Sequence, residues 1–343
     1  MIKGHLAFAW GSLFALACGT SSAHAAYFSD HPYIHFADQV RAGETGLDDR
    51  NFAPFLKRYA VGRFETPQAY SDSARVGETV THIGAGLFLV ANHVYESRGK
   101  PAEGHFVQEV LAEGQAALPP ELRPVWFSQK FVWSQYHTHK ILVRWLFCVP
   151  AHDFCLFRAA DPGALPAHLE QVALSTREPV RGMEVFTVGY PGDRQLDFLP
   201  HPAASIGEIS GRGYRTDYSD LHLLTVSGAG GISNSPAISQ ADPDLMVLYF
   251  NIVGKQPRTQ PMDSREAIRA YEQWEKGVSA LASFTGDEAE KKAETDRLRG
   301  ELMRFLPHFN MGVSAAKIAE DIRNSPYADL FCEASDRLAG CAK

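Results

Sequence analysis

A chain of 343 residues, 45% hydrophobic and 21% charged, is long enough for one large or two small domains with real cores. Its formal net charge of −7 disfavours nucleic acid or an anionic membrane as the principal partner. Glycine (28) and proline (20) are plentiful, which suits a turn-rich β protein.

Residues 1–25 have the form of a secretory signal. Lys3 supplies the positive start, and the apolar run from Leu6 to Cys18 is too short to span a bilayer. Ala23-His24-Ala25 has the small-x-small form of a cleavage site, so the expected product begins at residue 26 and is periplasmic or secreted. Leu16-Ala17-Cys18-Gly19 is partly lipobox-like and makes lipoprotein processing at Cys18 the rival. Cleavage after Ala25 removes one lysine and no acid, leaving 32 basic residues against 40 acidic, net −8. No later apolar run is long enough for a membrane helix.

Residues 26–60 mix aromatics with Gly, Asp and Pro, and read as an extension over the body with one short helix near Asp49 to Tyr59. Two β runs follow between 76 and 90, broken by a glycine-rich turn, and lead straight into Ala91-Asn92-His93-Val94-Tyr95. Phe106 to Leu118 carries the spacing of a short helix, ended by Pro119-Pro120. Residues 131–147 return to strand, where His137 and His139 lie on one face; without a third ligand they read as a solvated face, not a metal pair. Asp153 opens the apolar run Phe154-Cys155-Leu156-Phe157, either as a turn residue or as a carboxylate holding an imidazole.

Strands and turns fill 180–226. Gly230-Gly231-Ile232-Ser233-Asn234-Ser235-Pro236 is then a tight loop between alternating apolar runs. Ile268, Tyr271, Trp274, Val278 and Leu281 recur at helical spacing, Gly286-Asp287 breaks the pattern, and a weaker stripe follows from Ala289 to Phe305. Residues 263–305 are therefore a helical hairpin. The chain returns to β at Phe309 to Val313 and ends in a helix from Ser314 to about Arg323.

Four cysteines remain after residue 25: Cys148, Cys155, Cys332 and Cys341. An even number in an exported chain suggests disulfides, and the local pairs 148–155 and 332–341 are favoured among three connectivities. Zinc is disfavoured, because there is no C-x-x-C and no histidine at ligand spacing from the thiols. No nucleotide loop, haem motif or other cofactor signature is present in the sequence, so neither metal nor cofactor is expected.

Three residues stand in the order His93, Asp153, Ser233, each at the edge of a β segment. Serine is a poor nucleophile unless a base takes its proton and donors receive the oxyanion; histidine is such a base, and glycine at 231 would let the backbone N–H groups of Gly231 and Ser233 point into one small hole. The local sequences agree. Gly84-Ala-Gly-Leu-Phe-Leu-Val-Ala-Asn-His93-Val, Asp153-Phe-Cys-Leu, Gly189-Tyr-Pro-Gly, Gly207-Glu-Ile-Ser-Gly, Gly231-Ile-Ser233-Asn-Ser-Pro and Asn310-Met-Gly-Val follow one another in that order. On these motifs, residues about 76–320 resemble the trypsin-like (chymotrypsin-fold) serine peptidase superfamily, in particular its bacterial V8-like and HtrA-like branch. The order of the three residues is that of chymotrypsin.

The resemblance implies an all-β fold of two six-stranded antiparallel barrels, with the helical hairpin as an insertion and a C-terminal helix. The expected division is a signal peptide at 1–25, an extension at 26–60, a peptidase domain at 61–320 and a helical tail at 321–343. Within the domain the first barrel is about 61–165, the second about 170–320 and the insertion 263–305. It also implies a His93-Asp153-Ser233 triad, an oxyanion hole from the backbone N–H groups of Gly231 and Ser233, and Ser227 at the base of the first substrate pocket. A neutral Ser227 disfavours a Lys/Arg preference, and the implied partner is a protein or peptide substrate.

The chain also departs from the family pattern. Asn234 stands where a glycine follows the serine, Ile232 where Asp or Asn is usual, and Tyr249-Phe250 where Gly-Ile is common. The hairpin could overhang the site as a lid. A catalytically weak or inactive fold serving as a binding module is therefore the alternative to an active endopeptidase. An α/β-hydrolase using Ser233, Asp287 and His308 is disfavoured, since its elbow needs glycine where Ser235 stands.

Overall fold

The structure is a computed structural model that describes residues 34–35, 60–66, 78–111, 136–190, 203–212, 221–226, 233–252, 263–281, 283–305 and 309–334. The expected signal peptide and the expected helix near Asp49 to Tyr59 lie outside the described residues. The strands are β1 (Ile34–His35), β2 (Val61–Glu65), β3 (Glu78–Gly84), β4 (Leu87–Ala91), β5 (Glu103–Leu111), β6 (Tyr136–Val149) and β7 (Phe154–Ala159). They continue with β8 (Ala173–Leu174), β9 (Glu184–Gly189), β10 (Ala203–Arg212), β11 (Leu221–Leu224), β12 (Pro236–Ser239), β13 (Leu245–Ile252) and β14 (Asn310–Ser314). The helices are α1 (Asn92–Ser97), α2 (Ser264–Leu281), α3 (Glu288–Phe305), α4 (Ala315–Arg323) and α5 (Ala328–Ala334).

Strands β2-β3-β4-β7-β6-β5 close into one antiparallel barrel. Strands β9 to β14 close into a second, in the order β10-β11-β14-β13-β12-β9, with β9 pairing back onto β10. Closure removes the sheet edges that an open β protein must otherwise protect. The short strand β1, from the N-terminal extension, pairs antiparallel with β10 outside the second barrel. The fold class expected from the sequence is the one observed.

The core explains why the strands read as near-continuous apolar runs. Phe64, Val80, Phe88, Val90, Phe106, Val143 and Phe157 fill the first barrel from all six of its strands. The intervening residues Leu87, Leu89, Phe154 and Leu156 belong to a different cluster, shared with Val172, Phe186, Tyr249 and helix α4. Both faces of these walls are therefore covered, and the simple period of two disappears from the sequence. The first-barrel rings pack edge to face or tilted, Phe64 on Phe157 at 5.2 Å and Phe88 on Phe106 at 4.8 Å. Gly62 makes room for this, since a Cβ there would lie 2.6 Å from the Phe106 ring.

One sequence expectation is corrected. Residues 103–111 form β5, not the start of a helix, because this segment closes the first barrel between β2 and β6. Phe106, Val107 and Gln108 are all buried there, and the Gln108 amide donates to the Val61 carbonyl at 2.7 Å. After β4 the chain turns at Ala91 into α1. Burial of Val94 and Tyr95 in the first-barrel core favours that turn.

Helices α2 and α3 form the expected hairpin. Asp263 caps α2 by accepting from the backbone of Arg265 at 2.9 Å and Glu266 at 3.2 Å. Trp274 donates to the Leu298 carbonyl at 3.0 Å and joins the two helices. Tyr271 donates to the Arg212 carbonyl at 2.9 Å, while Arg181 bridges Glu272 and Glu275. These contacts seat the hairpin against the second barrel, and none of them goes to His93, Asp153 or Ser233. Helix α4, capped by the Ser314 hydroxyl, buries Ala315, Ile318, Ala319 and Ile322 in the cluster shared between the barrels.

Candidate active site

Asp153 sits at the tip of the β6–β7 hairpin. Pro150 starts a single 3₁₀ turn over Pro150–His152, and Asp153 then takes φ 52° and ψ 41°, the left-handed region. Aspartate visits this region more readily than most residues. Below the tip, Cys148 and Cys155 are directly opposed across the two strands and joined by a disulfide. His152 Nδ1 pairs with Asp321 Oδ2, which ties the tip to α4. Cys332, in α5, is also disulfide-bonded, and Cys341 lies outside the described residues.

This tip meets the start of α1. The Asp153 carbonyl accepts from the backbone of Asn92 at 3.0 Å. Its Oδ1 accepts from the backbone N–H of His93 at 2.9 Å, and Oδ2 is 2.7 Å from His93 Nδ1. A carboxylate at that nitrogen keeps its proton there and leaves Nε2 as the acceptor. The His93 side chain is half exposed and that of Asp153 largely covered. Burial pulls the His93 pKa down, but the Asp153 hydrogen bond and the charges of Asp153 and Glu78 outweigh it and raise it above the ordinary value. Glu78, the first residue of β3, has its own pKa raised by burial, against the pull of His93 and Arg98.

Ser233 is buried in a turn that leads into β12. The next residue, Asn234, has φ 80°, a conformation that glycine adopts freely and asparagine tolerates. Its carbonyl accepts from the Thr81 hydroxyl at 2.6 Å, and its Oδ1 accepts from the Tyr249 hydroxyl at 3.1 Å. Thr79, two residues from Thr81 and so on the same face of β3, accepts from the backbone of Tyr190 at 2.9 Å. The first barrel is thereby bonded to the second at two points, the serine turn and the end of β9. Burial, and then the charge of Asp153, raises the Tyr249 pKa well above its ordinary value, so its hydroxyl stays a protonated donor.

His93 and Asp153 are thus in direct contact, and the residue after Ser233 is bonded to Tyr249, which lies in the field of Asp153. Among the described residues no hydrogen bond joins Ser233 to His93. Gly231 and Ser227 lie outside the described residues. Sequence reasoning missed the parts played by Glu78, Thr79 and Thr81; the signal for the last two was a Thr-x-Thr alternation in an otherwise apolar strand. Among the described residues no group of three His, Cys, Asp or Glu could hold a metal. His139 and His168 are in ring contact at 4.5 Å. No described helix is long and apolar enough to cross a membrane.

Two closed six-stranded barrels, with a His–Asp pair at the edge of the first and a serine turn in the second, define a chymotrypsin-like fold. Similar solved structures include Deg5, at 14% identity over 60% of this chain and 85% of that one, with a TM-score of 0.40. The MamO protease domain from Magnetospirillum magneticum matches at 12% identity over 59% and 88%, with a TM-score of 0.38. An inactive form of Rv3671c from M. tuberculosis H37Rv matches at 10% identity over 80% and 90%, with a TM-score of 0.41. No family model matches the chain, and no curated protein does.

Proposed function

We propose that the protein is an exported serine endopeptidase that cuts peptide bonds through an acyl-enzyme. Ser233 Oγ attacks the carbonyl carbon of the scissile bond while His93 Nε2 takes its proton. The backbone N–H groups of Gly231 and Ser233 receive the oxyanion. The tetrahedral intermediate collapses, His93 returns the proton to the leaving amine, and an acyl-Ser233 ester remains. Water, deprotonated by His93, then releases the acid and restores the serine. Asp153 orients His93 and stabilises its protonated form at each step. The observation that carries this reading is the doubled contact of Asp153 with the ring and backbone of His93.

A second reading, a trypsin-like fold that binds peptides without cutting them, is favoured by the lack of a hydrogen bond between Ser233 and His93. Fluorophosphonate labelling of the protein lacking residues 1–25 separates the two. Labelling that disappears in Ser233→Ala supports the peptidase. A folded protein that does not label overturns it and supports the binding module.

A further inference from the structure

The sequence departs from the family pattern at Asn234 and again at Tyr249, 15 residues later. In the structure these two departures meet. The Tyr249 ring is fully buried, and its hydroxyl donates to Asn234 Oδ1 at 3.1 Å. Asn234 is equally buried, carries φ 80°, and its Nδ2 has no partner among the described residues. A buried amide with few partners depends heavily on each bond it makes.

We propose that Tyr249 and Asn234 are a positioning pair that does the work of glycine at the left-handed turn after the nucleophile, with the Tyr249 hydroxyl holding Asn234 so that Ser233 is presented to His93. This rests on the reading of Ser233 as the nucleophile. A side chain at φ 80° is strained unless something anchors it. The Thr81 hydroxyl, at 2.6 Å, anchors the Asn234 carbonyl but leaves the side chain free to rotate the residue out of its well. The Tyr249 hydroxyl supplies the second anchor, and burial beside Asp153 keeps it protonated and therefore donating.

The pairing makes an order-specific expectation for fluorophosphonate labelling. Tyr249→Phe removes one oxygen, takes from the Asn234 amide its partner among the described residues, and slows labelling on the order of 10²-fold, as displacement of a reacting group by about 1 Å does. Asn234→Gly reaches the same φ with no amide to satisfy and slows labelling by less. The double variant labels at the rate of the glycine variant, faster than Tyr249→Phe alone. A purely structural role for Tyr249 would show no such rescue, because glycine lowers stability further.

Wild-type labelling with an unchanged rate in Tyr249→Phe, or a double variant slower than Tyr249→Phe, overturns the pair alone. Absence of wild-type labelling overturns the nucleophile reading and the pair with it. Should Tyr249→Phe fail to fold, the same change in the Asn234→Gly background decides the matter. It is expected to alter the rate there by less than about threefold, and a larger loss overturns the proposal.

Discussion

The two halves of the site each place a non-glycine residue in the left-handed region, Asp153 at φ 52° and Asn234 at φ 80°, and they hold it by opposite means. Asp153 is held locally. Its turn has a proline at the first position and a disulfide across the strands immediately below. Asn234 is held from a distance by Thr81, 153 residues away in the other barrel, and within its own barrel by Tyr249. A local device keeps its geometry so long as the hairpin exists. A long-range device keeps it only while the two barrels stay docked. The His–Asp corner is therefore the robust half, and the serine turn the half that tertiary change can switch off.

The sharpest way to break the robust half is Asp153→Asn. The amide offers its own donor to His93 Nδ1 and favours the wrong tautomer, so labelling should fall on the order of 10⁴-fold while the protein stays folded. The pH profile sharpens the same point. His93 must be neutral to act as base, and its pKa is raised in the fold. Wild-type labelling is expected to fall with acid through a midpoint above the ordinary histidine value, and Asp153→Asn to lower that midpoint. The stability linked to protonated His93 has the opposite sense. It is full below the unfolded pKa and is lost as pH rises through the folded one.

Next is His82, in β3 beside Thr81. It is 4% exposed, and its Nδ1 donates to the Glu170 carbonyl at 2.6 Å. Burial is the main cause that lowers its pKa to about 4, against that hydrogen bond. The unfolded chain gains a proton near 6.5 that the folded chain refuses until about 4. Stability should therefore fall between those values by up to roughly 3 kcal/mol, and His82→Gln should flatten that slope in acid denaturation curves.

Smallest is the staple. Replacing Cys148 and Cys155 together with alanine is expected to cost about 2–3 kcal/mol in urea unfolding, the loop-closure value for so short a ring. Labelling should drop severalfold, because the tip that carries Asp153 loses its base. An unchanged rate would show that the Asn92 and His93 backbone bonds suffice.

Much of this was legible in the chain. Helix α2 follows from a 3.6-residue stripe, because one face packs and the other is solvated, whereas Ala289 and Ala293 of the weaker α3 stripe are exposed and Leu298 is buried. The ends of β9, β10 and β14 follow from apolar runs bounded by glycine and polar turns. The His, Asp and Ser positions stood out because a strand-to-turn boundary beside a titratable or nucleophilic side chain is visible locally. Residues 103–111 were misread because a strand buried on both faces has no period of two. What only the tertiary structure decided is the pairing of residues remote in sequence: Thr81 with Asn234, Tyr249 with Asn234, and Glu78 with the field of His93. The first depends on how the two closed barrels dock and the other two on how neighbouring segments of one barrel come together, relations between surfaces that leave no periodic trace in either segment, and so the residues that support the serine turn could be recognised only once the barrels were in place.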